Sequence, residues 1–457
     1  MHPKLSETLS QYQEIILVGW GTGGHVQPIV SVIQYLKDSK NATFQQSNIL
    51  WIGGKDSQEE QAARENNVEF ISIPTFKLAT TRSPKILLYP FVLIWWIFEA
   101  RKILCPFIST EARYKRNGDS QYTPCEWILL DTWKRFLDFG YRLRSKWQCN
   151  KTKKQTCIFS KWWPWSVAVG IAAWTLWIPL YIHESDTIPG RSNHILGKIA
   201  TKIFLGFDSA KKYFKGEKCE VIWQILGASF AKEVPDPSSA EVLLRRTEGR
   251  RIFSGKQKEI SPTPLYKEGP SWKTSKNHIL VICWSQWAKV IFEEILKNLE
   301  ILIRDNEWII ILWKLNTDMR KLFEIKINTT TSRFLHTQEW QVPTIQLTDQ
   351  PAIQLLDWIS QEDLAHVIPD TDIAITRGSA TTLAELTAFS PSNIPRFQHS
   401  NHPTLIIVPL PYAADNHQYW NAREYEKLWH ILLEQKNLSE LTQIIEKLWQ
   451  NSPPSNI

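Results

Sequence analysis

The stretch Glu14–Lys37, EIILVGWGTGGHVQPIVSVIQYLK, decides the fold. Its apolar run Ile15–Val18, bounded by a turn signal, reads as a buried strand of a parallel sheet. The tight loop Gly19-Trp20-Gly21-Thr22-Gly23-Gly24 follows. Pro28 suits the first turn of a helix, and Val26, Ile29, Val30, Ile33 and Leu36 give that helix one apolar face. Strand, glycine loop and helix together make an anion site, because backbone N–H groups and the helix N-terminus converge where glycine lets a phosphate approach. His25 stands at the mouth of the helix. Trp20 is out of place in such a loop.

Outward from this unit the alternation continues. Ile49–Gly53 reads as a strand, Ser57–Asn67 as a helix and Val68–Ile73 as a third strand, so a doubly wound parallel sheet is expected. The apolar run from Ile86 to Phe98 is too short to span a bilayer and is broken by Pro90. Arg82, Lys85, Arg101 and Lys102 flank it, which fits a helix lying on an anionic membrane surface; a buried helix fits equally. Residues 108–156 are polar, basic and irregular and read as an insertion. Pro164 and Pro179 break the apolar stretch Trp162–Ile182 into a loop, a short helix and a buried strand. His183-Glu184-Ser185-Asp186 then falls at a strand's carboxyl end, where open α/β sheets bind ligands.

Residues 235–277 form a polar linker. A second unit begins with strand Ile279–Cys283, loop Trp284-Ser285-Gln286-Trp287 and helix Ala288–Asn298. Further strands are expected at Trp308–Leu312, Ile373–Thr376 and Leu405–Leu410, with Glu385 on a helix after the loop 377–382 and helices from Gln418 onward. The domain reading is 1–230, a linker 231–277, 278–425, and terminal helices 426–457.

The 457 residues are 43% apolar and 22% charged, which excludes a disordered chain. The net charge of +7 suits anionic partners, although an ordinary basic protein would carry it too. No nucleic-acid motif accompanies the Lys/Arg density. The six cysteines lack metal spacing and are expected as free thiols, and the N-terminus has no apolar signal-peptide core.

Five segments in order, TGGH, IHESDTIPGRSNHILGKIATKI, WSQWAK, TRGSATTLAEL and DNHQYWNA, resemble MurG of glycosyltransferase family 28. The resemblance implies an α/β GT-B fold, two Rossmann-like domains with parallel sheets facing a central cleft. It implies inverting transfer of N-acetylglucosamine from UDP-GlcNAc to undecaprenyl-pyrophosphoryl-MurNAc-pentapeptide, without metal or cofactor, at the cytoplasmic side of the cell membrane. It makes His25 the base, puts Thr22, Gly23 and Gly24 near the donor sugar and acceptor pyrophosphate, and sets Asp186 at a donor-facing position that is asparagine in other members. Ser285, Thr381 and Thr382 would hold the nucleotide, Glu385 the ribose hydroxyls and Gln418 the sugar. Structural readings stand beside these: a helix-end hydrogen bond for His25, a solvated charge for Glu385, a surface amide for Gln418. Gly227 replaces an arginine the family commonly has. Another GT-B transferase acting on a lipid such as diacylglycerol, and a non-catalytic relic, are the alternatives.

One substitution recurs where the family has glycine: Trp20, Trp162, Trp163, Trp165, Trp177, Trp223, Trp284, Trp287 and Trp429. The chain has 23 tryptophans and only 18 glycines, and restoring these positions would bring glycine near its usual ~7%. A reassigned UGA codon, glycine in the source and written as tryptophan, accounts for one repeated change. Random decay would scatter over residue types. Trp51 and Trp420 fit as genuine aromatics.

Overall fold

The computed structural model describes residues 3–19, 23–38, 48–73, 89–105, 156–161, 164–231, 277–283, 288–304, 306–312, 321–323, 325–326, 334–336, 352–356, 359–388 and 403–450. The chain divides into two units, Met1–Gly227 and Ala228–Ile457. The expected insertion at 108–156 and linker at 231–277 lie almost wholly outside the described residues.

In the first unit the strands are β1 (Glu14–Gly19), β2 (Asn48–Gly54), β3 (Glu69–Ile73), β4 (Thr156–Lys161), β5 (Leu180–Glu184), β6 (Lys202–Leu205) and β7 (Cys219–Val221). They form one sheet in the order β3-β2-β1-β4-β5-β6-β7, every pair parallel. Every residue of β1, β4 and β5 is buried, as a sheet covered on both faces requires. One apolar layer packs Ile15, Leu17, Ile29 and Ile33; the other packs Ile16, Val18, Ile158 and Ile182.

The second unit repeats the plan with β8 (Asn277–Ile282), β9 (Asn306–Leu312), β10 (Phe334–His336), β11 (Ala352–Leu356), β12 (Ile373–Thr376), β13 (Thr404–Ile407) and β14 (Ile431–Leu432). Their order is β10-β11-β9-β8-β12-β13-β14, again parallel throughout.

In each sheet two neighbouring strands lead away in opposite directions, β1 and β4 in the first and β8 and β12 in the second, where β11 also inserts between β9 and β10. Such switch points are where open α/β sheets leave a crevice at the strands' carboxyl ends. The carboxyl ends of β1, β8 and β12 therefore stand at switch points because of strand order alone.

Some expectations shift. The helix after β1 runs Gly23–Asp38, so Gly23, Gly24 and His25 are its first turn and Pro28 lies inside it. The helix tolerates Pro28 because only one i→i−4 bond, to Gly24, is lost so near its start. Gly19 admits the helix closely: a Cβ there would stand 2.1 Å from Ile29 Cδ1. Pro90 does not break the apolar run but sits second in the helix Tyr89–Leu104, where a missing N–H costs nothing. Arg101 is buried and donates to Thr175 Oγ1, and Lys102 pairs with Glu99 at 2.9 Å. Arg101 thus leaves the expected basic rim, while Arg82 and Lys85 lie outside the described residues. Among the described residues no helix is long and apolar enough to cross a membrane.

Candidate functional site

In the first unit the candidate loop leaves β5. His183 and Glu184 belong to the strand itself, so the loop proper starts at Ser185. Glu184 is fully buried and fastens it. Its Oε1 accepts the Asp186 N–H at 2.9 Å; its Oε2 accepts the Gly190 N–H at 3.1 Å and the Asn193 amide at 2.9 Å. Burial, with Asp186 adding like charge, pushes the Glu184 carboxyl up to about 8. Asn193 reaches the same carboxylate from the helix Arg191–Ile199 and also donates to the His183 carbonyl at 3.2 Å.

His183 is wholly buried, and burial, reinforced by Lys161, holds its pKa well below the usual histidine range. The ring is neutral at pH 7. Its Nε2 donates to the Trp223 carbonyl at 3.1 Å, which leaves Nδ1 to accept from Ser185 Oγ at 3.4 Å. The tautomer follows from those partners. Gln224 Nε2 donates to the Ser185 carbonyl at 2.6 Å. Asp186 is thereby presented, half-buried, on a loop fixed from three sides. Lys161, buried at the end of β4, stands opposite His183 in register.

The second unit is fastened differently. The loop Arg377-Gly378-Ser379 joins β12 to the helix Ala380–Leu386. The buried Arg377 guanidinium donates from Nη1 to the Val408 carbonyl at 3.1 Å and to Gln435 Oε1 at 3.0 Å. Gly378 lies against the helix His417–Glu426: a Cβ on Gly378 would stand 2.2 Å from the Gln418 carbonyl oxygen. Asn421, buried, donates to the Gly378 carbonyl at 3.0 Å. Glycine is required here by close approach of two backbones.

This packing brings the start of one helix beside the start of the other. Thr381, Thr382 and Glu385 are all buried on the helix after the loop. Glu385 is not a solvated surface charge; its Oε1 accepts from Gln361 Nε2 at 3.0 Å. Gln418 is half-buried, and its Oε1 accepts the Leu410 N–H at 3.0 Å. That bond orients the amide and leaves its NH2 as the donor for a ligand oxygen. Cys283, at the end of β8, is a buried thiol pushed up to about 12 by burial, hence no nucleophile.

Of the residues picked from sequence, Thr381, Thr382, Glu385 and Gln418 gather in the second unit and Asp186 stands in the first. Gly23, Gly24 and His25 form the first helical turn after β1. Thr22 and Ser285 lie outside the described residues. Sequence reasoning missed Glu184, Asn193, Gln224 and Arg377, whose work is to hold loops. The signal for Glu184 was present: a carboxylate closing an apolar strand, with Asn193 nine residues on.

Comparison with known proteins bears on both units. The glycosyltransferase family 28 N-terminal domain matches residues 15–110 and 136–205, and the family's C-terminal domain matches residues 278–456. The break between 110 and 136 falls inside the polar stretch expected as an insertion. A UDP-N-acetylglucosamine--N-acetylmuramyl-(pentapeptide) pyrophosphoryl-undecaprenol N-acetylglucosamine transferase of Geobacillus kaustophilus is 25% identical over 96% of this chain and 91% of its own. The protein of the same name from Clostridium botulinum is 24% identical over 92% and 84%. The crystal structure of Acinetobacter baumannii MurG shares the fold, with a TM-score of 0.54 and 17% identity over 97% of this chain and 96% of that one. With both domain models matched in order and across most of its length, the chain belongs to glycosyltransferase family 28.

Proposed function

We propose that this protein transfers N-acetylglucosamine from UDP-GlcNAc onto undecaprenyl-pyrophosphoryl-MurNAc-pentapeptide, the lipid-linked peptidoglycan precursor. One observation carries the reading: three of the matching motifs directly follow, in sequence, strands β1, β8 and β12 that flank the points where neighbouring strands lead away in opposite directions, in a chain similar throughout to transferases of that name.

In this reading an acceptor hydroxyl attacks C1 of the sugar with inversion. The C1–O bond to the diphosphate breaks, and UDP leaves with the electron pair. His25, in the first turn after β1, takes the hydroxyl proton, since imidazole titrates near working pH. Glu385 accepts from the ribose diol, two donors matched to a carboxylate. The Gln418 amide donates to the sugar. Thr381, Thr382 and Ser285 meet the nucleotide phosphates together with backbone N–H groups, and Thr22, Gly23, Gly24 and Asp186 face the sugar and acceptor. The reading uses no metal.

The protein is also assigned to the cytoplasmic surface of the membrane. Phe91, Ile94 and Trp95 are exposed on the helix Tyr89–Leu104, and Phe91 is 70% accessible. An apolar helical face of this kind lies into a lipid interface. Lys102, exposed at its last turn and paired with Glu99, adds a basic group beside that face among the described residues.

An acceptor panel tests the proposal. Protein from its source is given UDP-GlcNAc with the lipid-linked muramoyl-pentapeptide, with diacylglycerol, or alone, and UDP release is followed. Release with the muramoyl acceptor is expected. Release with diacylglycerol only would assign the chain to another lipid glycosyltransferase, and none with either would make it a relic.

A further inference from the structure

Three helices of this chain end in one backbone motif but not with one kind of residue. After the helix Gln58–Glu65, Asn67 takes φ 48°. Its N–H bonds the Arg64 carbonyl at 3.0 Å, and the Val68 N–H bonds the Ala63 carbonyl at 2.9 Å. After the helix Pro164–Thr175, Trp177 takes φ 59°. Its N–H bonds the Trp174 carbonyl at 3.2 Å, and the Ile178 N–H bonds the Ala173 carbonyl at 3.0 Å. After the helix His417–Glu426, Trp429 takes φ 70°, with the Glu426 carbonyl at 3.0 Å and the His430 N–H on the Tyr425 carbonyl at 3.2 Å. This is the Schellman termination, whose left-handed residue is usually glycine and sometimes asparagine.

Tryptophan has no reason to be there. Its Cβ meets the following carbonyl in the left-handed region, and burial does not offset the strain: Trp177 is 91% and Trp429 73% exposed. Trp223 repeats the anomaly after β7, with φ 61° and 64% exposure. The other described non-glycine residues at positive φ are Asp56, Asn67, Asp415 and Asn416, the types that tolerate it. Trp51 and Trp96 behave oppositely. Both are buried within regular elements, and the Trp51 indole donates to the Gly19 carbonyl at 3.3 Å.

We propose that the protein made in its source carries glycine at positions 177, 223 and 429, where a UGA codon read there as glycine has been written as tryptophan. All three belong to the nine positions singled out by family resemblance, and the backbone selects them on independent grounds. Trp165 of that set sits in the first turn of a helix, and Trp20, Trp162, Trp163, Trp284 and Trp287 lie outside the described residues. Since one codon would serve them all, the loops after β1 and β8 regain glycine too, the residue that lets a diphosphate reach the backbone. The inference stands whether or not the chain is an active transferase.

The gene and the native protein test it. UGA is expected at codons 177, 223 and 429 and UGG at 51 and 96; UGG at any of the first three overturns the proposal. Peptide mass spectrometry of protein from its source should find glycine at the three positions, and tryptophan there overturns it. In protein expressed with the written sequence, Trp177→Gly and Trp429→Gly should each raise the unfolding midpoint by a few degrees, while Trp51→Gly lowers it. A fall with Trp177→Gly and Trp429→Gly would mean those indoles belong.

Discussion

The loop after β5 and the loop after β12 do the same job in the two units by different physics. The first is tied down by an ionisable group, Glu184, which collects two backbone N–H groups and an amide. The second is wedged by contact, with Gly378 against the Gln418 backbone and Arg377 on the Val408 carbonyl just past β13. A tether through a titratable carboxyl is tunable by pH and tolerates small changes in shape. A tether by close approach is indifferent to pH and intolerant of one methyl group.

The hardest blow to this contrast is Gly378→Ala. Its Cβ has backbone, not a flexible side-chain end, at 2.2 Å, so a loss of about 3 kcal/mol is expected, at the upper end for overpacking. Chemical denaturation should show it with the pH dependence of stability unchanged. Next comes Glu184→Ala, which strands the Asp186 and Gly190 N–H groups and the Asn193 amide. About 2 kcal/mol is expected from unsatisfied donors, with less for Glu184→Gln, which keeps one acceptor oxygen.

The pH dependence separates the two loops. Burial raises the folded Glu184 pKa from 4.5 to about 8. Between those values the unfolded chain has lost its proton and the folded chain keeps it. The group's stability contribution is therefore full below pH 4.5 and declines as pH rises to about 8, by up to about 1.4 kcal/mol per unit. Unfolding measured across that window should flatten in Glu184→Gln and not in Gly378→Ala. The smallest effect on stability belongs to Glu385→Ala, about 1 kcal/mol on loss of the bond from Gln361; its weight should fall on the donor, with KM for UDP-GlcNAc raised about tenfold and kcat held.

Much of this was legible in the residues. Apolar runs bounded by turn signals placed most of the strands, since a sheet buried on both faces leaves no other composition for them. Thr381, Thr382 and Glu385 were readable through the resemblance of the segment TRGSATTLAEL to the family's motif, and the structure sets them on one short helix. The tethers were not, because they depend on tertiary approach. Nothing local says that Gly378 meets Gln418, or that Arg101, drawn as a surface cation, turns inward to Thr175. Pro28 misled as well: it suits a first turn, but the helix already begins at Gly23 and Pro28 lies inside it.

The central claim is a transfer from UDP-GlcNAc with His25 as base. Steady-state UDP release with the muramoyl acceptor, by protein carrying glycine at the nine tryptophan positions, tests it most directly when His25→Ala is set beside its parent. Acceptor-dependent release by the parent is expected, with a kcat lower by about 10² or more in the variant and KM for UDP-GlcNAc nearly unchanged. A His25→Ala protein as fast as its parent, or a parent that releases no UDP, would contradict it.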